Sequence, residues 1–164
     1  MNQREEMDIF IKTFGGFDVF VNRERIYFSS EKAKEMLAIL VDRRGSSVSL
    51  SQMAWLLYEQ SPEQIAKSNL RVIYYRLKKI LKDWGIENIL IKKRGSYAVN
   101  AGSFTCDLYE FIEGSPAFVH SFLGNYMPGY AWGKEVLPYL NQLYLYYQYT
   151  ETAAASLPPS YRGL

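Results

Sequence analysis

The chain predicts an α+β fold, and three observations carry that expectation. Residues 8–28 alternate apolar and other side chains at period two. Three stretches between residues 31 and 83 repeat apolar residues at helical spacing. Two short extended segments then meet at Arg94-Gly95, as a hairpin would.

Taken in order, Ile9 and Ile11, then Phe17, Val19 and Val21, mark two strands that Gly15-Gly16 separates. Asn22-Arg23-Glu24 turns the chain into a third strand, Arg25–Phe28, which completes a small antiparallel meander. A helix is expected over about 31–43, with Ala33, Met36, Leu37, Leu40 and Val41 as its apolar stripe. Ser29 or Ser30 can cap it, and Gly45 lies just past its end. Ser49-Leu50-Ser51-Gln52 has capping-box spacing. It opens a short helix to about Tyr58, with Leu50, Met53, Ala54 and Leu57 inward.

Ser61-Pro62-Glu63-Gln64 repeats the capping signal, with proline at the first helical position. The third helix, 62–83, stops near Gly85. Leu70, Ile73 or Tyr74, Leu77 and Leu81 form its apolar stripe. Lys67, Arg71, Tyr75, Lys78 and Lys82 form a polar face, with Ser68, Asn69 and Arg76 beside it. Residues 88–93 and 96–100 make the hairpin. Strands, three helices of which the last is longest and most basic, and a hairpin describe a winged helix-turn-helix. The full expectation is an N-terminal antiparallel sheet, three helices and a C-terminal β-hairpin wing, plus a short helical extension.

The extension begins beyond residue 101. Asp107–Glu113 and 117–123 read as short helical pieces, 124–130 as a loop, and 134–150 as a tyrosine-rich helix. In that helix Leu137, Leu140, Tyr144 and Tyr147 form a stripe that Val136 and Leu143 widen, while Tyr139, Tyr146 and Tyr149 cover other faces. The stripe either packs on the winged helix or faces a second protomer or another protein partner. The organisation expected is 1–107 as the winged-helix domain, 108–152 as the extension and 153–164 as a flexible tail.

Composition sets the limits. With 164 residues and 48% apolar content, the chain can bury one ordinary core. Cys106 is the single cysteine, so no intramolecular disulfide forms, which suits a reducing cytosol. No apolar run reaches the roughly 18–20 residues that span a bilayer. The N-terminal MNQREEMD lacks the apolar core of a signal peptide, and the expected location is cytoplasmic. The net charge is only +2, but it is unevenly placed. Residues 62–94 carry nine Lys/Arg against three Asp/Glu, while 1–61 sum to −1 and 95–164 to −3. Local basicity of this kind is the footprint of a phosphate-facing surface.

Several segments together resemble a known family. They are Phe14-Gly15-Gly16-Phe17-Asp18-Val19, Lys32-Ala33-Lys34-Glu35-Met36-Leu37-Ala38, Asn69-Leu70 with Tyr75-Arg76-Leu77-Lys78-Lys79, and Cys106-Asp107. From Ile9 to about Tyr109 the chain is similar to the OmpR/PhoB-type winged helix, and within it to the DNA-binding domain of SARP-type bacterial transcriptional activators. Phe122–Met127 through Trp132 is similar to the opening of the helical activation domain that follows in such proteins. The resemblance implies a bacterial, sequence-specific transcriptional regulator. Some relatives carry a phosphoacceptor receiver domain ahead of this module, as response regulators of two-component systems do. With the first strand starting within ten residues of Met1, none is expected here. The family's wing ends in Gly-Tyr, whereas this chain has Gly95-Ser96-Tyr97, so its hairpin is expected to turn differently.

Geometry then divides the labour. Lys67, Ser68, Arg71 and Tyr75 would face base edges in the major groove, with Arg71 the leading candidate. Arg76, Lys78, Lys79, Lys92, Lys93 and Arg94 would contact phosphates, the last three from the wing, 92–97, on the backbone or minor groove. The expected partners are double-stranded DNA, RNA polymerase, and a second copy on repeated half-sites. The alternative is a protein-interaction module on a winged-helix scaffold without DNA binding; RNA binding is a third option. His120 and Cys106, 14 positions apart, make no nucleophilic constellation. No metal-ligand spacing and no phosphate-binding glycine loop occur. The expectation is no catalytic residue, no cofactor, no metal and no enzyme.

Overall fold

The computed structural model describes residues 7–155. The described chain is mixed α+β, in the order β1 (Ile9–Lys12), β2 (Asp18–Val21), β3 (Glu24–Arg25), α1 (Glu31–Asp42), β4 (Val48–Ser49), α2 (Leu50–Leu57), α3 (Glu63–Asp83). Then follow β5 (Leu90–Lys93), β6 (Ser96–Val99), β7 (Thr105–Cys106), α4 (Asp107–Ile112), α5 (Pro116–Val119) and α6 (Gly133–Ala155). The strands form two sheets, ordered β3-β2-β1-β7 and β4-β6-β5. Two compact units divide the described residues: one holds those up to Phe10 with Val19–Thr105, the other Ile11–Asp18 with the described residues from Cys106 on. Residues 11–18, which the sequence reading groups with the domain 1–107, thus cluster with the C-terminal residues.

In the first unit, Asn22 and Arg23 take positive φ angles of 49° and 71°, the two-residue loop that a tight hairpin uses. Val21 pairs with Glu24 and Phe20 with Arg25. The expected strand Arg25–Phe28 is shorter than its pattern. Ile26 and Phe28 are buried and the Ile26 amide donates to the Val19 carbonyl at 2.9 Å, but the strand itself ends at Arg25. Period-two alternation reports alternate burial, not hydrogen bonding.

Ser30, not Ser29, caps α1, its hydroxyl accepting from the Ala33 amide at 3.2 Å. Beside the expected stripe, Ala38 and Ile39 are also buried, so α1 is covered on most sides. The capping box of α2 forms in full. Ser49 Oγ accepts from the Gln52 amide at 3.1 Å, and Gln52 Oε1 accepts from the Ser49 amide at 3.2 Å.

The second capping box does not form. Pro62 is the N-cap of α3 rather than its first residue, and no side chain caps the helix. The reason is register: with Pro62 as N-cap the third helical position falls on Ile65, which has no acceptor, and the Ser61 amide that Gln64 would have taken donates to the Tyr58 carbonyl at 3.0 Å. Glu63 turns instead to Lys67, at 3.0 Å, and to the Ser51 hydroxyl, at 3.5 Å. α3 packs against α1 and α2 through Ala66, Leu70, Ile73, Leu77 and Leu81, all buried.

In the second unit, the buried carboxylate of Asp107 accepts from the Thr13 hydroxyl at 2.6 Å, the Thr13 amide at 2.9 Å, the Phe14 amide at 3.0 Å and the Leu108 amide at 2.8 Å. Phe14 packs edge-on to Phe111, with ring centroids 5.4 Å apart, and also meets Phe122 at 5.1 Å. Tyr144 and Tyr147 of α6 extend this cluster, onto Phe122 and Phe111. Gly133 must lack a side chain, since a Cβ there would sit 2.9 Å from the Met127 carbonyl. The helix expected over 134–150 runs to Ala155, because Ala153–Ala155 carry the strongest helix propensity. The rest of the expected tail, 156–164, lies outside the described residues. Among the described residues no helix is long and apolar enough to cross a membrane.

Candidate nucleic-acid interface

The site is built on α3. Its buried residues lie on one side, so helical spacing puts Ser68, Tyr75 and Lys79 at the centre of the opposite face. Lys67, Arg71, Tyr74 and Lys78 form the flank of this face, and Tyr74 meets the β5–β6 hairpin. Its ring lies 5.0 Å from that of Tyr97, which is buried in β6.

The hairpin is fixed by more than that contact. β6 is the central strand, pairing with β5 on one side and β4 on the other. Lys93 pairs with Ser96, leaving Arg94-Gly95 as the loop. Gly95 has φ +76°, a conformation that side-chain-bearing residues rarely adopt, with nothing near its missing Cβ. Its carbonyl accepts from the Leu50 amide at 3.1 Å, which ties the hairpin tip to the first residue of α2. Ser96 is the first residue of β6, opposite Ser49. Ser96 is taken up in the ladder, and Tyr97 is buried.

Each residue expected from the sequence can now be placed. Ser68, Arg71 and Tyr75 are exposed on α3, Tyr75 at 69%. Arg76, Lys78 and Lys79 are exposed there too, and Lys92, Lys93 and Arg94 on the hairpin. Lys67 differs: only 23% of its side chain is exposed and its ammonium pairs with Glu63. That hydrogen bond and the charge of Lys67 hold the Glu63 carboxyl below its usual range. Lys92 lies over two rings, 5.1 Å from Tyr74 and 5.9 Å from Tyr97, which steadies an otherwise flexible cation.

Burial raises the pKa of Tyr74. Burial also raises that of Tyr97, Tyr74 adds to the effect, and the charge of Arg71 opposes it. Arg71 therefore lies within electrostatic reach of the hairpin's tyrosine. The Tyr74–Tyr97 platform is the part that sequence reasoning missed. Its signal was the ambiguity between Ile73 and Tyr74: Ile73 is buried in the core, and Tyr74 faces the hairpin.

The described residues thus define an α+β chain in which a basic helix and a basic hairpin share one unit. This fold is similar to that of Mycobacterium tuberculosis EmbR in complex with a low-affinity phosphopeptide, with a TM-score of 0.69 at 18% sequence identity. The match covers 87% of this chain but only 44% of that one, so the chain spans less than half of EmbR's length. No family model matches the chain. No curated protein matches it in sequence.

Proposed function

We propose that this chain is a sequence-specific DNA-binding transcriptional regulator of the winged helix-turn-helix, SARP-like type. α3 enters the major groove, and the β5–β6 hairpin is the wing on the backbone or minor groove. The observation that carries this reading is the exposure of Ser68, Arg71, Tyr75, Arg76, Lys78 and Lys79 on a helix whose neighbouring hairpin ends in Lys92-Lys93-Arg94. Likeness of fold to EmbR, a transcriptional regulator, supports it. The chain acts by binding, without a chemical step. Its one thiol, Cys106, is buried and its pKa is raised, first by that burial, which is the reverse of an activated nucleophile.

A salt titration of binding to random duplex tests the reading. A DNA binder of this kind gives a steep negative slope of log affinity against log salt, and selection from random DNA returns a defined site. A flat slope and no selected site would favour the protein-interaction module instead. α6 supports a protein partner in addition to DNA, either polymerase or a second copy. Tyr139, Leu145, Tyr146 and Tyr149 are exposed along it.

A further inference from the structure

α3 carries two side chains that neither its packing nor its charge accounts for. Ile65 is 54% exposed and Val72 49% exposed, on a helix surface otherwise made of polar, charged and tyrosine side chains. Helical spacing places Val72 beside Ser68, Asn69, Tyr75 and Arg76, and Ile65 one turn before Ser68 and Asn69. Both are β-branched, and at solvent-facing helical positions such residues are poorer helix formers than lysine, glutamate or alanine. Local stability disfavours them there. Their stiffness is an asset only if they meet something, because a side chain confined to few rotamers loses little on being ordered.

We propose that Ile65 and Val72 read the methyl groups of thymines in the major groove. The inference rests on the DNA-binding reading above and names what that surface recognises. The C5-methyl of thymine is the apolar group that base edges present in the major groove. A protein partner that covered Ile65 and Val72 would also desolvate Arg71, Arg76 and Lys79, whereas a duplex brings phosphates to pair with them. The two aliphatics lie seven positions apart, about 10.5 Å along the helix. At about 3.4 Å per step, that distance spans roughly three base pairs. The site recognised carries A·T pairs at two positions about that far apart.

The test uses the full chain and its selected duplex, with each thymine replaced in turn by deoxyuridine. This removes the methyl and leaves the hydrogen-bonding edge unchanged. Wild type should lose about fourfold in affinity at two positions, the equivalent of one buried methyl-sized group at each. Val72→Ala should be insensitive to deoxyuridine at one of them, and Ile65→Ala at the other. No loss at any thymine, or equal losses in wild type and both variants, would overturn the inference while leaving DNA binding intact. Absence of salt-dependent binding to the unmodified duplex would instead overturn the reading beneath it, and the inference with it.

Discussion

The carboxylate of Asp107 accepts both the hydroxyl and the amide of Thr13, 94 residues earlier in the chain, at 2.6 and 2.9 Å. Among the described residues it is the one buried charged side chain, and its oxygens are satisfied by donors on Thr13 and Phe14, just past β1, and on Leu108 of α4. Asp107→Ala would leave those buried donors without an acceptor. The expected loss is about 3 kcal/mol or more of unfolding free energy, read from urea denaturation. Asp107→Asn should recover only part of it, since its amide group turns donors toward donors.

At the other short junction, Ser49 both pairs with Ser96 in the sheet and caps α2. Ser49→Ala keeps the backbone ladder and removes the cap. It should cost about 1 kcal/mol in thermal or urea unfolding.

In the proposed complex, variants of Arg71 and Lys93 would separate specificity from attraction. Arg71→Ala should cost roughly 1–3 kcal/mol on the selected site and relax its sequence preference. Lys93→Ala should weaken binding to every duplex alike and flatten the salt slope by about one unit. Competition assays with specific and random duplex at several salt concentrations distinguish the two.

Glu63 holds Lys67 back from the surface. Glu63→Gln removes the pairing charge and one source of phosphate repulsion, so duplex affinity should rise and the salt slope steepen. The pH dependence follows from the direction of its pKa. A depressed carboxyl contributes above its unfolded value, about 4.3, and that contribution fades as pH falls through the lower folded value. At neutral pH wild-type binding should not respond to Glu63 protonation. A binding isotherm of the variant against wild type checks both points.

Tyr74 and Tyr97 have raised pKa values, chiefly through burial. Their neutral forms are favoured in the folded state. The stability this brings is complete below the usual tyrosine value of about 10 and is lost as pH climbs through the raised values. In an alkaline titration, part of the tyrosinate absorbance should therefore appear late, together with loss of circular dichroism.

Much of this fold was legible because its helices are amphipathic at one period and its caps are chemically explicit. Ala33, Met36, Leu37, Leu40 and Val41 are all buried as a stripe should be, and Ser49 and Gln52 cap each other as their spacing says. The pattern fell short where a signal had two meanings. Ser61-Pro62-Glu63-Gln64 reads as a capping box, but the helix starts one residue later than that spacing says and the Ser61 amide goes to the Tyr58 carbonyl. Two-residue strands such as β4 and β7 are too short for any periodicity to show. The exposed face of α3 was legible from charge, but the hold of Glu63 on Lys67 and the Tyr74–Tyr97 contact depend on side-chain placement that spacing alone does not give.

The bond from the Leu50 amide to the Gly95 carbonyl has a consequence for scale. A hairpin secured at its tip as well as through its central strand is a bracket, not an arm. The cations of Lys92, Lys93 and Arg94 are then carried at a set reach from α3. In the proposed complex, that reach works as a gauge laid along the duplex. A site with one base pair inserted between the stretch under α3 and the stretch under the hairpin would meet one of the two surfaces and miss the other.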